Sequence, residues 1–484
     1  MSDSNNPAPV NDGSNDTPVS AKDKVPLKEK LAYGAGGVAM GVQERFDNQV
    51  INPIFVIGAG IAPQLMSVIG MFYRLWDAVT DMAMGVISDN TRTRWGRRRP
   101  FMFVGAILMG LAMPWLFFYD PSWDVSKITI WMVGFSLLLY LTLTIYNVPY
   151  QCMLVECTPD TNERTNVGAW RSFVGIATGV MVSWTWRLAQ AEPFHVNGEP
   201  DVLHGIRWLV CLMIVPVVLM GVLPAIFMKE RFYQVASKQK SISLKNALKF
   251  TMGNKAFRIL LIFTLVFIGG TQMHWSLVFY VKLFYVCGGD QVLASQIAGW
   301  QGTLQALIAV IGIPLAQYLA RKIGKAPTLA LGMGCSFAAY VMTYFMMTPE
   351  MPYLSIVPFV MMGPATSMIW IMIPSMTGDV IDYDEWKNGE RAEGSYTAVY
   401  SWTVKLAQTV SVLSGFLVAW AGYRPEIRDE LAQHTDVLNN MRLMLTGIPS
   451  TFLFIAILCL LLYPLKAKLV QEIRRDLESR RGTV

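Results

Sequence analysis

Charge is scarce in this sequence. Asp, Glu, Lys and Arg make up 15% of its 484 residues, against about 25% in a typical soluble domain. Histidine occurs four times, and the six cysteines show no metal-ligand spacing. His195 and His204 share one loop but are too isolated to read as a metal site. Ser, His and Cys form no catalytic constellation, and no glycine-rich nucleotide loop is present. These gaps argue against an enzyme, a resident metal or cofactor, and a nucleic-acid partner. Residues 1–24 lack an early apolar run and are rich in Ser, Asn, Asp and Pro. They read as a disordered tail rather than a signal peptide.

Apolar sequence is what the chain has in excess, at 53% hydrophobic residues. A membrane-spanning helix takes about 20 apolar residues, so twelve would absorb roughly 240. Apolar segments centre near 30–57, 63–88, 100–119, 127–155, 166–189 and 207–228, then near 254–286, 291–320, 327–347, 352–381, 395–420 and 441–464. The expected fold is therefore an all-α membrane protein of twelve spans. Loop charge orients it. Arg92, Arg94, Arg97, Arg98 and Arg99, then Lys229 to Lys249, then Arg321, Lys322 and Lys325, and finally Lys466 to Arg481 all fall on one side of a twelve-span count. Loops on the other side hold Glu192, Glu199 and Asp201, or Glu426, Asp429, Glu430 and Asp436. The positive-inside rule then places both termini in the cytoplasm of a cell with the protein in its inner membrane. The six cysteines lie in or beside apolar runs and read as packed thiols rather than disulfides.

Two loop features repeat. Gly85 and Gly312, and Arg94 and Arg321, each stand 227 positions apart, and Glu163 and Glu390 keep the same spacing. This predicts two six-helix halves, 25–228 and 251–465, joined by a basic cytoplasmic loop at 229–250 and followed by a basic tail at 466–484. Parallel halves about an axis normal to the membrane are the architecture of alternating-access carriers, with the solute site between them.

Charges inside the spans mark that site, because an ionised group at the bilayer centre costs roughly 2.5–3.5 kcal/mol on insertion scales. Arg74, Asp77 and Asp81 share one face of span two by their i, i+3 and i+4 spacing. Two carboxylates one turn apart repel unless a cation or a shared proton lies between them, which suits coupling to Na⁺ or H⁺. A structural triad with Arg74 is the alternative. Span one carries Glu44, Arg45 and Asp47, expected either to line the cavity or to sit near the outer surface. Arg171 in span five and Lys405 in span eleven put a cation from each half within reach of sugar hydroxyls or of the span-two carboxylates. Aromatic rings can stack on the C–H face of a pyranose while amides hold its hydroxyls. Tyr146, Asn147, Tyr150 and Gln151 in span four, and Trp370 in span ten, offer that mixture.

These residues also carry a family resemblance. Trp76-Asp77-Ala78-Val79-Thr80-Asp81, with Gly85, Asp89 and Thr91 through Pro100, closely resembles the span two to three signature of the glycoside–pentoside–hexuronide:cation symporters of the major facilitator superfamily. Asp379 through Trp386, with Gly389, Arg391 and Glu393, resembles the second signature, after span ten. The resemblance covers about residues 30 to 465. It implies that Asp77 and Asp81 hold the coupling cation, with Asn147 and Lys405 beside it. Arg171 and Trp370 would then belong to the sugar pocket, and Lys405 would link the halves to the cation site. It also implies a cytoplasmic gate of Asp379, Asp382 and Arg391, mirrored by Arg94, Arg97 and Arg98 and pairing with them across the halves.

Two positions depart from the melibiose permeases of that family, which have aspartates where this chain has Asn147 and Gly41. Melibiose itself and Na⁺ coupling are both put in doubt, and Glu44 or Asp47 is a candidate replacement for the missing carboxylate. The stretch Trp95-Gly96-Arg97-Arg98-Arg99-Pro100 also resembles proton-coupled sucrose transporters. The expected function is import of a sugar or glycoside with H⁺, ahead of Na⁺, by a monomer in membrane lipid. Two alternatives remain. One is the same fold carrying an anionic or amphiphilic solute such as a uronide, a sulfonated sugar or a lysolipid. The other is a membrane receptor that transports nothing.

Overall fold

The computed structural model describes residues 24–158, 161–230, 248, 251–389, 392–427 and 430–481. Within the first helix the side chains of Glu44, Arg45 and Asp47 lie outside the described residues, as do nearly all of the expected tail and central loop.

Among the described residues, twelve helical segments run alternately up and down: α1 (27–58), α2 (Pro63–Asn90), α3 (Arg99–Trp115), α4 (Val125–Cys157), α5 (Thr161–Leu188), α6 (Val202–Phe227), α7 (Lys255–Val286), α8 (Gln291–Ile323), α9 (Lys325–Met346), α10 (Pro352–Asn388), α11 (Glu393–Trp420) and α12 (Thr435–Leu461). Eight of them are long and apolar enough to cross a membrane. The other four differ for visible reasons. α3 has 17 residues. α1 is interrupted by π-helical turns at Asp47–Ile51 and Pro53–Gly58. α2 and α5 carry charges along their length, Arg74, Asp77 and Asp81 in one and Glu163, Arg164, Arg171 and Arg187 in the other.

Helix starts follow local chemistry. Pro63 and Pro100 occupy first turns, where their missing N–H is no loss. On the face opposite the termini, three aspartates cap helix N-termini. Asp124 accepts from Lys127 N at 3.3 Å, Asp201 from His204 N at 2.9 Å, and Asp290 from Val292 N at 2.8 Å. Each satisfies an orphan donor and meets the positive end of a helix dipole. These acidic caps add to the negative character of that face.

The apolar interior divides in two. One cluster runs from Val25 to Met228 and includes Phe46, Phe55, Met102 and Phe117. The other runs from Ala256 to Leu465 and also takes in Val56 and Trp186 of the first half. The halves meet along two seams, α2 against α11 and α5 against α8. Their named contacts lie toward the face away from the termini. There Gly415 N donates to Ser67 Oγ at 2.9 Å, and Trp184 Nε1 donates to Thr303 Oγ1 at 2.9 Å.

After α12 the basic tail forms a further helix, α13 (Ala467–Arg481). It buries Ile473 and Leu477 and packs on the end of α10, where Trp386 Nε1 donates to Asp476 Oδ2 at 3.0 Å. None of the six cysteines is in a disulfide among the described residues. Cys335, expected to be packed, is instead exposed on α9.

Candidate cation and solute site

The face of α2 that carries Arg74, Asp77 and Asp81 looks toward the partner half. Lys405 Nζ of α11 lies 2.5 Å from Asp81 Oδ2. The side chains are 44% and 26% exposed respectively, so water and small ions can reach the pair. One carboxylate of the first half is thus neutralised by an ammonium of the second. Arg74 does not take that role: no ion pair joins it to Asp77 or Asp81 among the described residues.

Asp77 meets α4 instead. Thr144 Oγ1 stands 3.5 Å from Asp77 Oδ1 and 3.2 Å from Thr80 Oγ1. Thr144 is buried, and the sequence reading did not single it out. Its signal is spacing, since Tyr140, Thr144, Asn147 and Gln151 fall at i, i+4, i+7 and i+11 on one face of α4. Asn147 is buried on that face and Gln151 is exposed. Tyr140 lines a cavity of about 120 Å³ between the halves, together with Asn52, Ser67, Arg74, Gln272 and Trp275. Among the described residues, Arg74 is the only Asp, Glu, Lys, Arg or His in its lining.

Tyr146 and Tyr150 require a correction. Both were expected to face the solute, yet both are fully buried in the first half. Tyr150 stacks on Tyr33 with centroids 4.5 Å apart and donates to Tyr33 O at 2.6 Å. Tyr146 stacks on Tyr150 and donates to Gly36 O at 3.4 Å. A Cβ at Gly36 would stand 2.5 Å from both tyrosines, so the glycine admits them. They join α1 to α4 and are not cavity groups. Arg171 is partly buried on α5. Trp370 is 44% exposed on α10. The side chains of Glu44 and Asp47 lie outside the described residues. At Gly41, a Cβ would meet Gly175 O and Thr178 Cβ at 2.8 Å. α1 and α5 pack too closely there to admit an aspartate.

On the terminal face, these ion pairs among the described residues lie within one half: Arg97 and Arg98 with Glu156 and Asp89, and Lys325 with Asp379. Arg97 and Arg98 are buried and both reach Glu156, Arg98 Nε at 2.8 Å. Both also pair with Asp89, at 3.4 and 3.1 Å. Glu230 accepts from the backbone N–H groups of Arg97 and Arg98, at 2.9 and 2.8 Å. Its carboxylate therefore sits at the N-terminus of α3, a favourable place for an anion. In the second half Lys325 Nζ pairs with Asp379 at 2.7 Å. Asp382 is partly buried, Arg94 is exposed, and Arg391 lies outside the described residues. Sequence reasoning missed Glu156, Glu230 and the role of Lys325. For Lys325 a signal existed, because it stands 227 positions after Arg98, the spacing of the other repeated residues.

Chemically, the site can exchange one cation for another. The Lys405 ammonium occupies Asp81, and Asp77 accepts from a hydroxyl. A proton or metal cation arriving between the carboxylates would compete with Lys405 and so act on the contact between the halves.

The MFS/sugar transport protein family matches residues 32–467 of the chain. The isoprimeverose transporter of Lactiplantibacillus pentosus is 25% identical over 96% of this chain and 93% of its own length. The putative glycoside/cation symporter YagG of Escherichia coli is 25% identical over 94% of this chain and 96% of its own length. Among solved structures, a bacterial homolog of the human lysosomal transporter Spinster, in an inward-facing and unoccupied conformation, aligns with a TM-score of 0.64 at 14% identity. That alignment covers 91% of this chain and 98% of the other. The chain belongs to the MFS/sugar transport protein family.

Proposed function

We propose that this multi-pass membrane protein imports a sugar or glycoside together with a cation, by alternating access. The observation that carries the reading is the Lys405–Asp81 pair, 2.5 Å across the line between the halves. Ion binding that depends on a contact between two moving bodies couples the ion to the motion. Asp77 and Asp81 hold the ion, and Thr144 and Asn147 supply neutral oxygens beside it. Arg171, Gln151 and Trp370 are the candidates for holding solute.

The proposed ion is H⁺. A proton needs one carboxylate, whereas Na⁺ needs several oxygens converging at short range to replace its water. Asn147 stands where the melibiose permeases have an aspartate, so one carboxylate that would help a metal cation is missing. The protein is placed in the inner membrane with both termini cytoplasmic, on the loop charges. The described conformation is then inward-facing, since the seams lie on the outer side. The test is counterflow in proteoliposomes across a panel of neutral glycosides, uronides and sulfonated sugars. Exchange of a neutral glycoside supports the reading, and no exchange of any solute refutes it.

One observation favours a second reading. Arg74 lines the cavity without a carboxylate partner within 4 Å among the described residues. A carboxylate or sulfonate solute would fill that role, and the same panel decides, because only anionic members would exchange.

A further inference from the structure

We propose that Gly415 and Gly302 are the positioning residues on which the two halves shut the face opposite the termini. A side chain at either one drives the protein toward a conformation open on that face. The inference rests on the alternating-access reading and adds to it the residues that set the conformational balance.

At the α2–α11 seam, α11 is broken by a 3-10 turn at Val410–Val412 and restarts at Leu413. Gly415 lies in the first turn of the restarted helix, where N–H groups have no partner within the helix. Its N–H is taken by Ser67 Oγ of the other half at 2.9 Å. A Cβ at Gly415 would stand 2.1 Å from the Pro63 carbonyl oxygen and 2.3 Å from Ser67 Oγ. The Pro63 oxygen is backbone, so no rotamer change relieves the clash. The seam has to part.

The α5–α8 seam is built the same way. A Cβ at Gly302 would stand 2.2 Å from Ser183 Oγ and 2.6 Å from Ser183 Cβ. One turn earlier, Gly299 receives the Trp184 ring, which a Cβ there would meet at 2.7 Å. The ring also packs edge-on against Trp300, centroids 5.4 Å apart. Each flank of the closed face thus depends on a glycine approached by the other half.

On the terminal face, by contrast, Arg97 and Arg98 pair with Glu156, and Lys325 with Asp379, each within one half. Packed interfaces of this kind have two arrangements rather than a continuum. Loss of the seams therefore shifts the population toward the opposite arrangement. Neither glycine touches Asp77, Asp81 or Lys405, so the ion-binding groups are left in place.

Hydrogen exchange read by mass spectrometry, on the full chain in detergent without solute, tests this. Gly415→Ala is expected to speed exchange at least threefold in 61–70 and 411–420 and to slow it in 88–98 and 392–398. Gly302→Ala is expected to do the same in 180–188 and 296–304. Ser183→Gly removes both atoms that oppose the new Cβ, so Ser183→Gly/Gly302→Ala should return to the pattern of Ser183→Gly alone. A wild-type pattern in both single glycine variants overturns the proposal, as does failure of the double variant to recover. Should Gly415→Ala not fold, the Gly302 set decides by itself. Counterflow by the wild type separates this from the functional reading. A wild type that exchanges no solute refutes the symporter and leaves the exchange result standing.

Discussion

Arg98 and Lys325 stand 227 positions apart and make the same contact in the two halves. Arg98 donates to Glu156 at 2.8 Å, and Lys325 donates to Asp379 at 2.7 Å. Each base starts the third helix of its half, and each acid lies near the terminal end of the fourth. The acid shifts by about one helical turn between halves while the pairing persists. Each half therefore carries its own clamp on the terminal face, and each can move as one body.

Breaking a clamp should cost stability. Asp379 is 4% exposed and Lys325 25%. Removing one member of a buried pair costs about 3–5 kcal/mol, and replacing both by apolar groups costs far less. Lys325 is partly solvated, so Lys325→Ala should fall at or below the lower end. Lys325→Met/Asp379→Leu should recover most of the loss in thermal unfolding in detergent. Additive losses in the double variant would contradict a clamp.

Gly96→Ala should disturb the α2–α3 loop. Gly96 has φ +113°, and a Cβ there would lie 2.6 Å from Glu230 Oε1. Backbone strain of this kind costs about 1–3 kcal/mol, and the carboxylate would also be pushed from its N–H partners. Both effects should appear as faster amide exchange at 97–99, matched by Glu230→Ala. Exchange unchanged in either variant would mean that Glu230 does not hold the loop.

Tyr150→Phe separates core from cavity. The hydroxyl donates to Tyr33 O inside the first half, so its loss should lower stability by about 1 kcal/mol. Solute affinity measured by calorimetric titration should stay within twofold. A tenfold loss of affinity with unchanged melting would restore Tyr150 to the solute site.

The contrast between Tyr150 and Asp81 explains what the sequence makes legible. Arg74, Asp77 and Asp81 could be placed on one face because helical spacing fixes azimuth, and charge in an apolar span has few tolerable surroundings. Lys405 was legible for the same reason. A tyrosine in a span is as much at home in a packed core as in a polar cavity, and spacing does not decide between them. Whether Tyr150 faces in or out depends on how closely α1 approaches α4, which Gly36 permits and no periodicity reports. The partner of Arg97 and Arg98 was hidden likewise. Glu156 sits at the end of an otherwise apolar span, and only the packing of α3 on α4 brings it to Arg98. The spans themselves were legible from apolar length, and the breaks in α1 and α11 were not.

Asp77→Asn and Asp81→Asn should abolish accumulation driven by an ion gradient, while downhill exchange of solute persists within about tenfold. Asp81→Asn also removes the anion that holds Lys405 at 2.5 Å. Normal accumulation by both variants would refute the assignment of the ion to this pair.

The most direct test of cation-coupled import is solute uptake into proteoliposomes at clamped membrane potential. A pH gradient is imposed in Na⁺-free buffer, and a Na⁺ gradient is imposed at uniform pH. The account predicts transient accumulation above the outside concentration with the pH gradient, lost in Asp81→Asn. Uptake that only equilibrates under both gradients would contradict it.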